Sequence, residues 1–248
     1  MDNKRPKRPS RIVVKLGTNL LTGGKDALDL ETIGSIFAQI ASVKSLGVEV
    51  LIVSSGAVAA GRESLSRTPR KNKLQRGTVA YRQALAALGQ PQLMMTYEQF
   101  FANHQIEVAQ ALISRGDLQS RSRYLNVRNT LDALLSIGAV PIINENDVVA
   151  VEELAGEVYG DNDRLSAMVA NTVDADLLIL LGDMDGLHKT DPHIDPNSEL
   201  ISQVDIIDES IEKSARGPHD LQGSGGMASK LDAARLSTDS GIPMVIAS

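Results

Sequence analysis

A lysine interrupts the first apolar run of the chain, Ile12-Val13-Val14-Lys15-Leu16-Gly17. A β-branched run that stops at a glycine has the pattern of a strand buried on both faces, as in a parallel sheet covered by helices. Desolvating an ammonium there is expensive unless an anion answers it. A phosphate could be that anion, because Lys15 stands two residues before Gly17, where the chain can turn and bring backbone N–H groups close. An edge-strand lysine reaching out to water is the ordinary alternative for this stretch taken alone.

Further polar clusters stand where apolar runs end. Ser54-Ser55-Gly56-Ala57 follows Val48–Val53 and places two hydroxyls where a strand turns into a helix. Such a turn offers N–H groups and the positive helix end to an anion, although a simple serine N-cap accounts for the same residues. Asn144-Glu145-Asn146-Asp147 follows Ala139–Ile143, and Gly182-Asp183 follows Asp176–Leu181. Gly160-Asp161-Asn162-Asp163 precedes the apolar positions Leu165, Met168 and Val169, so it lies at a helix N-terminus. One aspartate there is a cap, but two flanking an asparagine exceed what one cap requires. Gly223-Ser224-Gly225-Gly226-Met227-Ala228-Ser229-Lys230 is a glycine-rich loop entering a helix, suited to wrapping a phosphate with a lysine in the first turn. It lacks the spacing of a Walker A loop, and no GxGxxG follows the first strand.

The elements that must hold these groups follow from hydrophobic period. Ile33, Ile36, Phe37, Ile40 and Val43 recur at helical spacing after a turn at Leu21–Gly24, and Val48–Val53 is a second buried strand. Strand, helix and strand in this length form a βαβ unit with a right-handed crossover, which brings Lys15 and Ser55 to one rim. Residues 79–104 are helical with an interruption at Gly89-Gln90-Pro91, predicting two helices or one broken helix, with Met94, Met95, Phe100 and Phe101 in the core. Strands at 106–113, 139–143, 176–181, 200–204 and 242–246, a helix at 124–137 with Leu125, Leu131, Leu134 and Leu135 inward, and a small hairpin at 148–158 complete the reading. Four strand ends carrying Gly-Thr, Ser-Ser-Gly, Asn-Glu-Asn-Asp and Gly-Asp locate a ligand site, since open α/β sheets bind ligands outside the carboxyl ends of their strands.

Composition bounds the function. With 248 residues, 42% of them apolar, the chain can bury a sizeable core as one α/β domain or two small ones. Cysteine is absent, which excludes disulfides and thiolate metal sites and fits a reducing cytoplasm. No apolar stretch is long enough to span a membrane. A net charge of −6, no tryptophan and 3% aromatics argue against a nucleic-acid surface and favour a small-molecule ligand. Residues 1–10 read as a basic, disordered tail and 11–248 as one domain. From Arg62 to Arg82, both included, there are seven basic residues and one acid, a solvated loop whose field could attract an anion.

Together, Val14-Lys15-Leu16-Gly17-Thr18, Ser54-Ser55-Gly56-Ala57, Ile143-Asn144-Glu145-Asn146-Asp147, Gly160-Asp161-Asn162-Asp163 and Gly225-Gly226-Met227-Ala228-Ser229-Lys230 resemble the motifs of the amino-acid kinase superfamily, and within it those of its glutamate 5-kinase branch. The resemblance covers residue 11 to the end. It implies a three-layer αβα sandwich with a mostly parallel central sheet, and phosphorylation of the L-glutamate γ-carboxylate by ATP with Mg²⁺ held mainly by the nucleotide phosphates. It also implies proline synthesis as the setting, proline as a feedback inhibitor and assembly as a homo-oligomer. Relatives often continue into a PUA domain, and with the sequence reaching only Ser248 the expectation is a kinase domain without one or a fragment of a longer protein. By position, Lys15 and Lys230 would touch the transferred phosphoryl group and Asp163 would hold both lysines. Ser55, Asp147 and Asn162 would bind glutamate. Gly182, Asp183, Ser224, Gly225, Gly226, Met227, Ala228, Ser229, Lys230 and Lys15 would line the nucleotide site. Gly182 stands where many relatives carry a hydroxyl residue, and the basic loop does not follow the family pattern. A sibling kinase acting on another carboxylate such as N-acetylglutamate, or a non-catalytic amino-acid sensor on the same scaffold, would share most of these features.

Overall fold

In the computed structural model, which describes residues 8–67, 76–149, 162–192, 194–215 and 226–248, the apolar runs become parallel strands. They are β1 (Arg11–Leu16), β2 (Glu49–Ser54), β3 (Val108–Ile113), β4 (Val140–Glu145), β5 (Leu177–Leu181) and β8 (Met244–Ala247). Their order across the sheet is β3-β4-β2-β1-β5-β8, and every pairing is parallel. A minor antiparallel pair, β6 (Leu187–His188) and β7 (Leu200–Ile201), lies outside that sheet. The last is shorter than the 200–204 strand expected from sequence. Among the described residues, no helix is long and apolar enough to cross a membrane.

Alternation along β1 divides the core between two faces. Ile12, Val14 and Leu16 pack with Ile33, Phe37 and Ile40 of α2 (Leu30–Ser45) and with Leu93, Tyr97 and Phe101 of α4 (Val79–Ala102). Val13 points the other way, into a cluster built with Leu131 and Leu135 of α6 (Arg121–Ser136), Leu165 and Val169 of α7 (Asn162–Thr172) and Ala233 of α9 (Met227–Thr238). This gives the αβα sandwich expected from sequence, with both faces of the sheet covered. The period of two also places Lys15 on the same face as Val13, toward α7 and α9. The remaining helices, α1 (Thr18–Thr22), α3 (Ala57–Ser66), α5 (Arg115–Gln119) and α8 (Glu209–Ala215), are short.

Four expectations change. Met95, expected in the core, is 46% exposed, because it lies on the face of α4 opposite Leu93 and Tyr97. The turn at Leu21–Gly24 is the end of α1, stopped by Gly23 at φ 57°. Leu125 is exposed while Leu131 and Leu135 are buried, because α6 covers the sheet with one narrow stripe. The largest change is at Gly89-Gln90-Pro91, where α4 continues unbroken through Pro91. A proline in mid-helix forfeits one backbone bond, but Leu85, Ala86, Leu93 and Tyr97 are buried on both sides of it, so packing holds the helix through the defect.

Gly89 is there for close approach. A Cβ built on it would lie 1.8 Å from the Ala57 carbonyl oxygen and 2.3 Å from the Gly61 nitrogen, so α3 and α4 cross backbone to backbone. Gly89→Ala is therefore expected to cost about 2 kcal/mol through forced separation of the two helices. Gly116→Ala, whose Cβ would meet only the Ser114 hydroxyl at 3.8 Å, serves as control and should be near neutral. Urea unfolding of both variants checks this, and equal midpoints would show that the crossing relaxes freely.

Candidate functional site

The strand ends converge as their polarity suggested. A cleft of about 380 Å³ at the carboxyl rim of the sheet is lined by residues following β1 (Gly17, Thr18, Asn19), β2 (Ser55, Gly56), β4 (Asp147) and β5 (Gly182, Asp183). β2, β4 and β3 lie on one side of β1 while β5 and β8 lie on the other, so the strand order reverses beside β1 and opens a crevice there. Lys15 sits at that boundary, paired in register with Val53 of β2 and Leu180 of β5.

At the floor of the cleft, Asp163 bridges the two lysines singled out by sequence. Lys15 Nζ lies 2.5 Å from Asp163 Oδ1 and Lys230 Nζ lies 3.4 Å from Oδ2, while the Ser229 hydroxyl donates to Oδ2 at 2.8 Å. Lys15 and Lys230 are 7% and 8% exposed and Asp163 is 1% exposed, so three charges are held out of water together. Burial pushes the Asp163 carboxyl up, but the Lys15 and Lys230 charges and the Ser229 hydroxyl outweigh it and hold it below the ordinary carboxylate range. The carboxylate is thus ionised, and it fixes two ammonium groups that face one space.

Beside this trio is an amide cluster. Asn162, in the first turn of α7, donates from Nδ2 to the Ser54 carbonyl at 3.0 Å, to Ser55 Oγ at 3.0 Å and to Asn144 Oδ1 at 3.2 Å. Its own Oδ1 is buried and has no hydrogen-bond partner among the described residues. Because the Ser54 carbonyl can only accept, the amide is fixed with Nδ2 toward it and Oδ1 left over. Glu145 and Asp147 line the same part of the cleft. On the opposite side, Asn19 Nδ2 donates to Asp183 Oδ2 at 2.8 Å next to Gly182.

Two local readings are corrected by the geometry. The Gly17 N–H does not face an anion, because it donates to the Leu181 carbonyl at 3.0 Å. Gly17 has ordinary extended dihedrals, and its small size is what matters, since a Cβ would stand 3.3 Å from that carbonyl oxygen and 3.7 Å from Lys15 Nζ. The serine N-cap is also absent. Gly56 at φ 96° caps α3, and the Ser55 hydroxyl accepts from Asn162 instead.

Every residue singled out from sequence in this region, Lys15, Ser55, Asp147, Asn162, Asp163, Gly182, Asp183 and Lys230, lines the cleft. Gly226 caps α9, and Met227 packs against the cluster of Leu187, Ala215 and Leu231, so its side chain is committed to the core. Ala228 is exposed, and Ser229 reaches the cleft only through Asp163. Ser224 and Gly225 lie outside the described residues, as do Gly160, Asp161, the tail at 1–7, most of the 148–158 hairpin and positions 68–75 of the basic loop. The cleft also takes in Asn19, Arg62, Arg82, Asn144 and Glu145, which sequence did not assign. Arg62 and Arg82 flank the basic loop and could have been suspected from its charge. Asn144 was visible in the cluster after β4 but carried no distinguishing sign.

Comparison with known proteins agrees with the geometry. The family model described as the amino acid kinase family matches residues 10–248. A protein of Dehalococcoides mccartyi (strain 195) named glutamate 5-kinase is 51% identical over 239 residues, covering 96% of this chain and 62% of that protein. Proteins of the same name from Citrifermentans bemidjiense and Shewanella oneidensis are 45% and 48% identical, covering 97% and 96% of this chain and 62% of each relative. The chain therefore spans about three fifths of the length of these relatives. The crystal structure of UMP kinase from Bacillus anthracis superposes with a TM-score of 0.59 at 17% identity, covering 97% of this chain and 88% of that one, a likeness of fold. A lysine pair clamped by one buried aspartate at the rim of a parallel sheet, and a family match that runs across both lysines, agree that this chain belongs to the amino acid kinase family.

Proposed function

We propose that the chain transfers the γ-phosphoryl group of ATP to the γ-carboxylate of L-glutamate, giving L-glutamyl 5-phosphate for proline synthesis. The observation that carries this is the Lys15-Asp163-Lys230 trio standing between an amide and carboxylate pocket on the β2–β4 side and the glycine-bounded Gly182-Asp183 turn on the β5 side. Relatives up to 51% identical carry the name glutamate 5-kinase, which supports this acceptor over its siblings.

The chemistry asks little of the protein beyond position and charge. A γ-carboxylate is ionised at neutral pH and is already a nucleophile, so no general base is needed. Its oxygen forms a bond to the γ-phosphorus as the bond from that phosphorus to the β–γ bridging oxygen breaks, and ADP leaves with the electron pair. Lys15 and Lys230 would meet the equatorial oxygens of the phosphoryl group, where negative charge is spread in the transition state, and Asp163 would keep both aimed there. Mg²⁺, carried on the nucleotide phosphates, would supply further neutralisation. Ser55, Asn162 and Asp147 would hold the amino acid. Gly182, Asp183, Gly226 and the first turn of α9 would border the nucleotide, with Met227 contributing backbone only.

In the acceptor pocket, Asp147 is read as the partner of the α-ammonium. Asp147→Asn is expected to raise the glutamate KM by tenfold or more, the worth of about one charge-assisted hydrogen bond, and to leave the nucleotide KM nearly unchanged. An equal rise in both would place Asp147 in the wrong half of the cleft. Proline shares the α-carboxylate and a cationic nitrogen with glutamate, so the same pocket could accept it as a feedback inhibitor. Association of copies into a homo-oligomer belongs to the same reading.

ADP release with Mg-ATP and a panel of glutamate, N-acetylglutamate, aspartate and UMP tests the proposal, with trapping of an acyl phosphate by hydroxylamine. Glutamate is expected to stand alone. Turnover with N-acetylglutamate or UMP in its place, or no acceptor-dependent ADP release, would overturn it.

A further inference from the structure

The amide cluster continues away from the cleft into the protein, and its continuation has one direction. Asn144 Nδ2 donates to Gln90 Oε1 at 3.0 Å, and Gln90 Nε2 donates to Gln110 Oε1 at 3.0 Å. Gln90 and Asn144 are 8% and 3% exposed, while Gln110 reaches the surface on β3. Four amides from α7, β4, α4 and β3 therefore form a single head-to-tail chain, Asn162 to Asn144 to Gln90 to Gln110. Its free end is Asn162 Oδ1, the buried oxygen without a hydrogen-bond partner among the described residues, on a residue that lines the cleft.

We propose that Gln90, which does not line the cleft, is a positioning residue for the acceptor pocket, and that it sets the polarity of the amides that do. Asn144 Oδ1 already accepts from the Glu145 backbone N–H at 2.8 Å and from Asn162 Nδ2. That orientation requires an acceptor on the other side of Asn144, and Gln90 Oε1 is that acceptor. Without it, Asn144 buries an unpaired NH₂ and has a reason to rotate, which would turn a donor toward Asn162 Nδ2 and the Glu145 N–H. Two donors would then oppose one another, and Asn162 could no longer hold Ser55 and the Ser54 carbonyl while presenting Oδ1. Chains of this kind are sensitive because each bond polarises the next in a low-dielectric interior. The placement of Gln90 is itself secured next to Gly89, where α4 touches the backbone of α3.

The proposal rests on the cleft being an amino-acid pocket, and its test uses whichever acceptor the wild type phosphorylates, so failure of glutamate as substrate leaves it standing. Gln90→Met keeps the volume and removes the hydrogen bonds. It is expected to raise the acceptor KM and the calorimetric acceptor Kd by about tenfold, with the nucleotide KM within about twofold of wild type. Gln90→Glu keeps an acceptor facing Asn144, and Gln110 can reverse its exposed amide to donate to it, so most of the loss should be recovered. An acceptor KM unchanged in Gln90→Met, or an equal rise for both substrates, would overturn the role. Should Gln90→Met not fold, Gln90→Glu decides: acceptor binding close to wild type upholds the proposal, and a tenfold loss in a protein of unchanged Tm defeats it.

Discussion

Lys15→Met and Lys230→Met are each expected to lower kcat by about a hundredfold, roughly 3 kcal/mol of transition-state stabilisation, with a smaller effect on either KM. The reason lies in where the charge is needed. Both ammonium groups are nearly buried, both are held by one carboxylate, and both line the space between the two halves of the cleft. A ground-state acceptor carboxylate and a bound nucleotide can be held by other groups. In the proposed reaction the phosphoryl group in flight is what would meet both lysines, so the loss should fall on kcat. Methionine preserves the length of the buried stem, which separates the missing charge from a packing defect. Steady-state kinetics with both substrates varied measures it, and a variant with wild-type kcat would remove that lysine from the mechanism.

Asp163→Asn is expected to be the most damaging single substitution for folding, costing about 3–5 kcal/mol at neutral pH. It leaves Lys15 and Lys230 buried near one another with no carboxylate between them, and the Ser229 hydroxyl loses its ionic acceptor. The loss should also depend on pH in a defined sense. The Asp163 carboxyl is held below its unfolded value, so its contribution is fully present above the ordinary aspartate pKa, about 3.9, and is lost as the pH falls through the lower folded value. Urea unfolding of wild type and variant should therefore differ by a constant amount from pH 7 down to about pH 5 and converge in more acidic solution. Coincident urea midpoints at pH 7 would mean that water reaches the lysines and that the trio is not a buried unit.

What sequence alone determined was the scaffold and the identity of the charged groups. Apolar runs with glycine or hydroxyl stops at Leu16-Gly17, Val53-Ser54 and Leu181-Gly182 can only be buried parallel strands once helices separate them, so the common rim followed from connectivity. Period two puts Lys15 on the face of Val13, but which helices cover that face emerged only from the fold. These are local and periodic signals, carried by residues near one another in the chain. The tertiary structure decided which groups answer which. The family resemblance implied that Asp163 holds Lys15 and Lys230, but no spacing in the chain encodes it, because the contact depends on α7 and α9 lying together on one face of the sheet. Gly89-Gln90-Pro91 has the local chemistry of a break, yet contact with α3 keeps the helix continuous and makes Gly89 a crossing point. Gln90 and Asn144 were silent in sequence for the same reason. A neutral amide takes its meaning from the direction of its hydrogen bonds, and that direction exists only after four separate elements have packed.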